Sequence, residues 1–193
     1  MSARIAIIVG LGNPGPQYER TRHNAGFWFT DVLARQFGGH FRSENRYSAE
    51  ACKVRIAGDE VWLLKPMTFM NRSGQSLSAL ARFFKIAPES ILVAHDELDL
   101  EPGTVRLKTG GGHGGHNGLR DIVAQLGGNT FHRLRIGIGH PGHSSQVSNY
   151  VLSKASPDDQ IAMDRAIDNA LEVIESVVSG EMQKAMNRLH SSQ

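Results

Sequence analysis

Apolar and polar residues recur along the chain with two periods, one typical of β-strands and one of α-helices. Ile5–Val9 is a short, wholly apolar run followed by glycine, as expected for a buried central strand. Ile91–Ala94 is a second such run. Alternating apolar positions predict further strands at residues 52–56, 61–64, 105–108 and 134–138, the first two joined as a hairpin by a Gly58-Asp59 turn.

Segments with helical spacing separate these strands. They predict a helix over Phe27–Phe37, stopped by two glycines, and a helix that Ser73 is expected to cap. The apolar face of this second helix should consist of Leu77, Leu80, Ala81 and Phe84. Further helices are predicted around Leu119–Leu126, from a Ser156 cap to Gly180, and around Met182–Leu189. The alternation predicts an α/β fold, with a mixed sheet flanked by helices on both faces and one domain over residues 1–193.

The composition narrows the class of protein. No apolar stretch approaches the length of a membrane span, and the single cysteine, Cys52, excludes an internal disulfide. Both features favour a cytoplasmic protein without a membrane partner. The net charge is +2, but residues 156–193 carry three Lys/Arg against seven Asp/Glu, which leaves +6 on residues 1–155. A basic body beside an acidic tail suits a polyanionic partner that approaches one side.

A polar loop, Gly10–Gly15, follows the first predicted strand and has the sequence GLGNPG. It matches the GxGxxG pattern of dinucleotide-binding folds, which requires a helix to begin at once. The residues from Pro16 to Asn24 have no apolar periodicity, and Asp31, at the distance expected for the acidic residue, lies within a predicted helix. We therefore interpret the loop as one that presents the side chain of Asn13.

His23 and Asp96 form the candidate catalytic pair. His23 lies in the polar loop TRHNAG, and Asp96 lies just beyond the buried run Ile91–Ala94, where open α/β sheets assemble their sites. A carboxylate there can accept a hydrogen bond from imidazole, fix its tautomer and free the other nitrogen to take a proton from water. His95 alternates with Asp96 and is expected to face away from it.

A glycine-rich segment, KTGGGHGGHNG, begins at Lys108 and allows close approach of the backbone to a ligand. His113 and His116, together with His95, invite interpretation as a metal site. The chain has neither an HExxH motif nor paired cysteines, so we predict no metal and no cofactor. In the earlier segment KPMTFMN, Asn71 is placed to hydrogen-bond a ligand.

Six segments together resemble the bacterial-type peptidyl-tRNA hydrolase family: VGLGNPGPQY, TRHNAG, KPMTFMN, LVAHDELDL, KTGGGHGGHNGL and FHRLRIGIGHP. They occur in the family's order, and the similarity extends from Ile5 to His190. The resemblance implies a metal-independent esterase that releases peptides from tRNA after premature drop-off from the ribosome.

The resemblance also implies roles for individual residues. The catalytic set would be His23, which activates water, Asp96, which orients and polarises His23, and Asn13, which helps set the geometry. The peptide would be held near the ester by Asn71 and Asn117, in a cleft lined by Tyr18 and Met70. The tRNA 5′ phosphate would be clamped by Lys108 and Arg135.

The substrate so implied is peptidyl-tRNA, recognised by its acceptor end, its 5′ phosphate and its peptide. We expect a monomer with no obligate protein partner, and mobility in the polar segment Gly142–Tyr150. Two alternatives stay open. A non-catalytic RNA-binding domain accounts for the basic residues, among them Arg106, but gives no role to His23 or Asp96. A metal-dependent hydrolase would use His95, His113 and His116 as metal ligands.

Overall fold

The computed structural model describes residues 2–192, which contain one mixed sheet of seven strands. The strands are β1 (Ile7–Gly10), β2 (Arg42–Glu44), β3 (Ala49–Ile56), β4 (Asp59–Pro66), β5 (Ile91–Glu97), β6 (Val105–Thr109) and β7 (His132–Gly137). Their order across the sheet is β2-β3-β4-β1-β5-β7-β6. The central strands β4, β1, β5 and β7 run parallel, whereas β2, β3 and β6 pair antiparallel with their neighbours.

Helices pack on both faces of this sheet. They are α1 (Ala25–Gln36), α2 (Ser73–Phe83), α3 (Asn117–Leu126), α4 (Val147–Val151), α5 (Pro157–Leu171), α6 (Ile174–Val178) and α7 (Met182–Ser191). One core cluster joins α1, α5, α6 and α7 to one face, and a second joins α2 and α3 to the other. Successive residues of β1 alternate between the two clusters, as expected for a strand buried on both faces. The predicted α/β class is confirmed.

The predicted helix ends agree with the structure at one cap and differ at another. Ser156 caps α5, because its hydroxyl accepts a hydrogen bond from the Asp159 N–H at 3.1 Å. The prediction for Ser73 was wrong. It is the first residue of α2, and its hydroxyl donates to the Met70 carbonyl at 2.8 Å. Phe84 was also wrongly assigned to the buried face, since it follows α2 and is 43% exposed beside Trp62.

The C-terminal apolar stripe folds as two helices instead of one. It was predicted to run without a break from Ser156 to Gly180, but α5 ends at Leu171 and α6 begins at Ile174. The buried residues of both helices still belong to the same core cluster. The break therefore redirects the chain without removing the apolar face from the sheet.

Two glycines bring the start of α1 directly against the ends of β1 and β5. A Cβ atom at Gly10 would overlap the carbonyl oxygen of Gly26, and one at Gly26 would overlap the carbonyl oxygen of Ala94. Only glycine permits backbones to approach this closely. The loop that precedes α1, which contains His23, is thereby held beside the end of β5 and Asp96.

Among the described residues, the helices are too short or too polar to cross a bilayer.

The single cysteine, Cys52, lies buried on β3. Burial raises the pKa of its thiol, even though the charge of Lys65 acts in the opposite direction. A thiol held in its neutral form is a weak nucleophile, which agrees with a structural role for Cys52.

Candidate active site

His23 lies in a short turn, Arg22–Asn24, immediately before α1. Its Nδ1 atom is 2.8 Å from Oδ2 of Asp96. Because a carboxylate only accepts hydrogen bonds, Nδ1 carries the proton and Nε2 keeps its lone pair. Within residues 2–192, Nε2 makes no hydrogen bond, so it is available to accept a proton from a water molecule.

Asp96 lies near the end of β5 with 3% of its surface exposed. Its two carboxylate oxygens accept hydrogen bonds from two different histidines, His23 on Oδ2 and His116 on Oδ1, each at 2.8 Å. Burial alone would raise the pKa of Asp96, but the two imidazoles outweigh it and hold that pKa well below its usual range. Asp96 is therefore a permanent negative charge beside His23.

The Asp96 charge also determines the basicity of His23. Burial of the imidazole disfavours its charged form, yet the attraction and hydrogen bond of Asp96 outweigh burial and raise the pKa of His23 above its ordinary value. A raised pKa makes Nε2 a stronger proton acceptor. His23 and Asp96 thus have the geometry and the electrostatics of a general base and its orienting carboxylate.

His116 supports the same carboxylate from the other side of the cleft. It occupies the N-cap position of α3, where its Nδ1 accepts hydrogen bonds from the N–H groups of Gly118 and Leu119 at 3.1 and 3.3 Å. Two donors pointing at Nδ1 leave no room for a proton there, so Nε2–H is the donor to Asp96. The start of α3 therefore fixes the orientation of the His116 ring toward Asp96.

Asn13 lies in a network that connects three loops around His23. Its side-chain oxygen accepts a hydrogen bond from the Met70 N–H at 2.7 Å. Its backbone N–H donates to Oδ1 of Asn24 at 2.9 Å, and its carbonyl accepts from Nδ2 of Asn24 at 3.0 Å. The Asn13 side-chain nitrogen has no hydrogen-bond partner among the described residues and remains a donor for a ligand.

The predicted peptide-binding residues differ in exposure. Asn71 is exposed in the turn Met70–Arg72 that precedes α2. Asn117 is exposed as the first residue of α3, and Arg120 donates to its Oδ1 at 2.7 Å. Tyr18 is half-buried and meets the ring of Phe69 edge-on, with centroids 6.2 Å apart. Met70 is only 4% exposed and belongs to the second core cluster, and its backbone N–H contacts the Asn13 loop.

A cavity of about 430 Å³ opens beside the Asn13 loop. Asn13, Asn24, Phe27 and Trp28 are among the residues that line it. Neither His23 nor Asp96 reaches its wall. The candidate catalytic pair therefore lies outside the lining of this cavity, whereas its neighbours Asn13 and Asn24 belong to it.

Lys108 and Arg135 lie on the same face of neighbouring strands. Lys108 pairs with Arg133, and Arg106 pairs with Arg135, so Lys108 and Arg135 are diagonal neighbours. Such neighbours are about 7–8 Å apart, a separation that one phosphate group can bridge. Arg135 also donates from Nε to Oε1 of Glu97 at 2.8 Å, and within residues 2–192 its two terminal nitrogens form no hydrogen bond and are available to another anion.

The histidines do not gather as the metal-site alternative requires. Among the described residues, one group of potential ligands is close enough for a metal ion, and it consists of His23, Asp96 and His116. Their nearest atoms already pair as N–H donors and carboxylate acceptors. His95 packs behind them, with its ring 5.2 Å from that of His116 and Nδ1 2.9 Å from the backbone oxygen of Asp96. His113 is outside the group.

Comparison with known proteins places this arrangement in context. The family model described as peptidyl-tRNA hydrolase matches residues 7–193. The chain belongs to the peptidyl-tRNA hydrolase family. It is 59% identical over 190 residues to the peptidyl-tRNA hydrolase of Shewanella halifaxensis, covering 98% of each chain. The Pseudomonas aeruginosa peptidyl-tRNA hydrolase is 57% identical over 188 residues, with 97% of each chain covered.

The fold agrees equally well with a solved member of the peptidyl-tRNA hydrolase family. The crystal structure of the Acinetobacter baumannii peptidyl-tRNA hydrolase superposes with a TM-score of 0.95 at 54% identity, over 98% of this chain and 96% of that one. All of the residues assigned by motif lie within the part of the chain that the family model matches. The resemblance based on the six motifs is confirmed.

Sequence reasoning missed four residues that shape this site in a peptidyl-tRNA hydrolase fold. They are Asn24, Phe69, His116 and Arg133. His116 was considered only as a metal ligand, because histidine is not a common helix cap. Arg133 was hidden among other basic residues, although its guanidinium donates to the carbonyls of Gly111 and Gly112 and so holds the glycine-rich loop. Asn24 lies within the TRHNAG motif, which was the available signal.

Proposed function

We propose that this chain hydrolyses the ester bond between the peptide and the tRNA of peptidyl-tRNA, with His23 as the general base. The observation that carries the proposal is the His23–Asp96 contact, which leaves Nε2 unprotonated and free within the described residues. Such a base, with one positioned water molecule, suffices for an aminoacyl ester because this bond is already activated. General base catalysis contributes roughly 10²- to 10⁴-fold.

In the proposed reaction, Nε2 of His23 removes a proton from water while the oxygen of that water attacks the ester carbonyl. The tetrahedral intermediate then collapses, and the bond between the carbonyl carbon and the ribose oxygen breaks. His23 returns the proton to the ribose oxygen. The products are a peptide with a free carboxyl group and a tRNA with a free 3′-terminal ribose hydroxyl.

The surrounding residues complete the proposed site. The free side-chain nitrogen of Asn13 and the amides of Asn71 and Asn117 can hydrogen-bond the peptide backbone or the developing oxyanion, where a donor can be worth about 10²- to 10³-fold. Tyr18 and the region of Met70 would line the cleft. Hydrogen bonds made only to the peptide backbone would allow the site to accept many peptide sequences.

The tRNA would be held by Lys108 and Arg135 through its 5′ phosphate, and binding through phosphates should weaken as salt rises. We propose that no metal ion takes part, since the candidate ligand atoms are already hydrogen-bonded to each other. We also propose a cytoplasmic monomer that acts as one domain over residues 1–193 and needs no protein partner. The proposed reaction also uses no cofactor.

A single-turnover assay with N-acyl-aminoacyl-tRNA and His23→Ala tests the base. We expect hydrolysis to fall by at least about 10²-fold while tRNA binding is kept, because only proton transfer is removed. Near-normal cleavage with intact tRNA binding would assign the base elsewhere. If the unmodified protein bound tRNA and did not cleave the ester, the non-catalytic RNA-binding alternative would take its place.

A further inference from the structure

Arg22 is a buried cation directly beside His23 in the chain. It is 9% exposed, and within residues 2–192 it forms no ion pair with a carboxylate. Burial of an arginine without a counter-ion is costly, so other contacts must hold the guanidinium in place. Those contacts all go to one segment, from Tyr150 to Ser153 at the end of α4.

Two kinds of contact fasten Arg22 to this segment. Its Nη1 donates to the carbonyl of Tyr150 at 3.0 Å and to the hydroxyl of Ser153 at 2.6 Å. Its guanidinium also lies over the Tyr150 ring, 3.7 Å from the centroid. The contact is reinforced by the backbone, because the Arg22 N–H donates to the Ser153 carbonyl at 3.0 Å. The residue before Arg22, Thr21, forms a β-bridge with Lys154.

The Tyr150 side chain extends this connection to the sheet. Its hydroxyl donates to the carbonyl of Ile138 at 2.6 Å, just beyond the end of β7. The helix that contains it, α4, has only five residues and cannot be stable by itself. Arg22 therefore joins the His23 turn to a segment that is itself anchored to the sheet.

The other side of the His23 turn is anchored separately. Asn24 forms two hydrogen bonds with the backbone of Asn13, as described above. His23 stands between these two anchors, and its ring meets Asp96. Its position depends on both anchors, because a shift of either neighbour would change the distance from Nδ1 to the carboxylate.

We infer that Arg22 is a positioning residue for catalysis: by fastening the His23 turn to Tyr150 and Ser153, it keeps the His23 imidazole against Asp96. This inference rests on the proposed role of His23 as the base. It assigns Arg22 an effect on the rate constant of the chemical step and little effect on substrate binding. A misplacement of about 1 Å in a catalytic group can cost about 10²-fold in rate.

The test compares Arg22→Lys with Tyr150→Leu in single-turnover hydrolysis and in steady-state kinetics. Lysine keeps the charge but has no planar guanidinium to stack flat on the Tyr150 ring. We expect kcat to fall about 10- to 100-fold in each variant, with KM changed less than about threefold. The double variant should lose no more than the worse single variant, because both changes remove the same contact.

Two further readouts separate positioning from a general structural effect. Loosening of His23 from Asp96 lowers the pKa of His23, so the acidic limb of kcat should move to lower pH in Arg22→Lys. In a His23→Ala background, Arg22→Lys should have no further effect, since the residue that it positions is gone. An unshifted pH profile, or an equal loss in the His23→Ala background, would overturn the inference.

Controls keep the result interpretable. Arg46 lies over the ring of Phe83 at 4.6 Å, on the exposed surface, so Arg46→Lys removes a comparable stacking contact away from the site and should leave kcat unchanged. If Arg22→Lys fails to fold, Ser153→Ala removes the hydroxyl that accepts from Arg22 and donates to the Tyr150 carbonyl, and it should give a smaller loss of kcat with the same direction of shift in the pH profile. An active His23→Ala protein would refute the proposed base and not Arg22 alone.

Discussion

The Nδ1 atom of His23 lies 2.8 Å from Oδ2 of Asp96, and this single contact decides both the tautomer and the basicity of the candidate base. The carboxylate directs the proton to Nδ1 and raises the pKa of the imidazole above its ordinary value. It can do so because its own pKa is held far below the working range by two histidines. The base is thus prepared by a group that stays charged throughout.

Replacement of the Asp96 carboxylate should shift the pH dependence of kcat in a definite direction. Asp96→Asn removes the charge that stabilises the imidazolium, so the pKa of His23 should fall. Because the base acts in its neutral form, the acidic limb of kcat should move to lower pH, while kcat on the plateau should drop about 10²- to 10⁴-fold as the tautomer is no longer enforced. A pH profile of single-turnover rates checks both. A shift of the limb to higher pH would contradict the assignment.

His116 has two tasks, and two substitutions can separate them. Its ring caps α3 and also donates to Asp96. Asparagine is a good helix cap but is too short to reach the carboxylate, so His116→Asn should lower kcat on the order of tenfold with little loss of stability. His116→Ala should lose the cap as well and cost about 1 kcal/mol more in unfolding free energy. Urea unfolding and kcat, measured on both variants, test the separation. Equal stabilities would show that the capping bonds contribute nothing.

The sequence predicted the elements better than the connections between them. Period and turn residues were sufficient for the hairpin of β3 and β4 and for the Ser156 cap, because those signals are local. His116 illustrates what was missed. Its position in a glycine-rich loop does not indicate how far it lies from Asp96. The two side chains come within 2.8 Å only because the fold places the start of α3 beside β5. The pairing of Arg135 with Glu97 was invisible for the same reason, since the two residues lie on neighbouring strands far apart in sequence.

The proposed phosphate clamp predicts an effect that depends on substrate size. Lys108→Ala should raise KM for whole peptidyl-tRNA much more than for a short acylated 3′ fragment, because the fragment has no 5′ phosphate. It should also reduce the slope of log affinity against log salt by about 1. Lys53→Ala, a change of an exposed lysine on β3, serves as the control and should alter neither value. Equal effects of Lys108→Ala on both substrates would remove Lys108 from the tRNA site.

The proposal that no metal ion takes part makes its own prediction. Exhaustive chelation followed by removal of the chelator should leave the hydrolysis rate unchanged, since His23 and Asp96 already share a proton at the positions that a metal ion would need. The measurement is the single-turnover rate before and after treatment, with metal content determined in parallel. Loss of activity that zinc restores would revive the metal-dependent alternative.

Phe69 stores backbone strain beside the cleft, and two substitutions can measure it. Its φ is +59°, a region that favours glycine, and its ring is 53% exposed above Tyr18. Strain of this kind costs about 1–3 kcal/mol. Phe69→Ala and Phe69→Gly both remove the ring, but only glycine relieves the strain. We therefore expect the glycine variant to be more stable than the alanine variant by about 1 kcal/mol, the reverse of the usual order. Both should raise KM to a similar extent if the ring contributes to the cleft wall. Thermal unfolding measures the difference in stability, and steady-state kinetics measures KM. An alanine variant as stable as the glycine variant would mean that this backbone is unstrained.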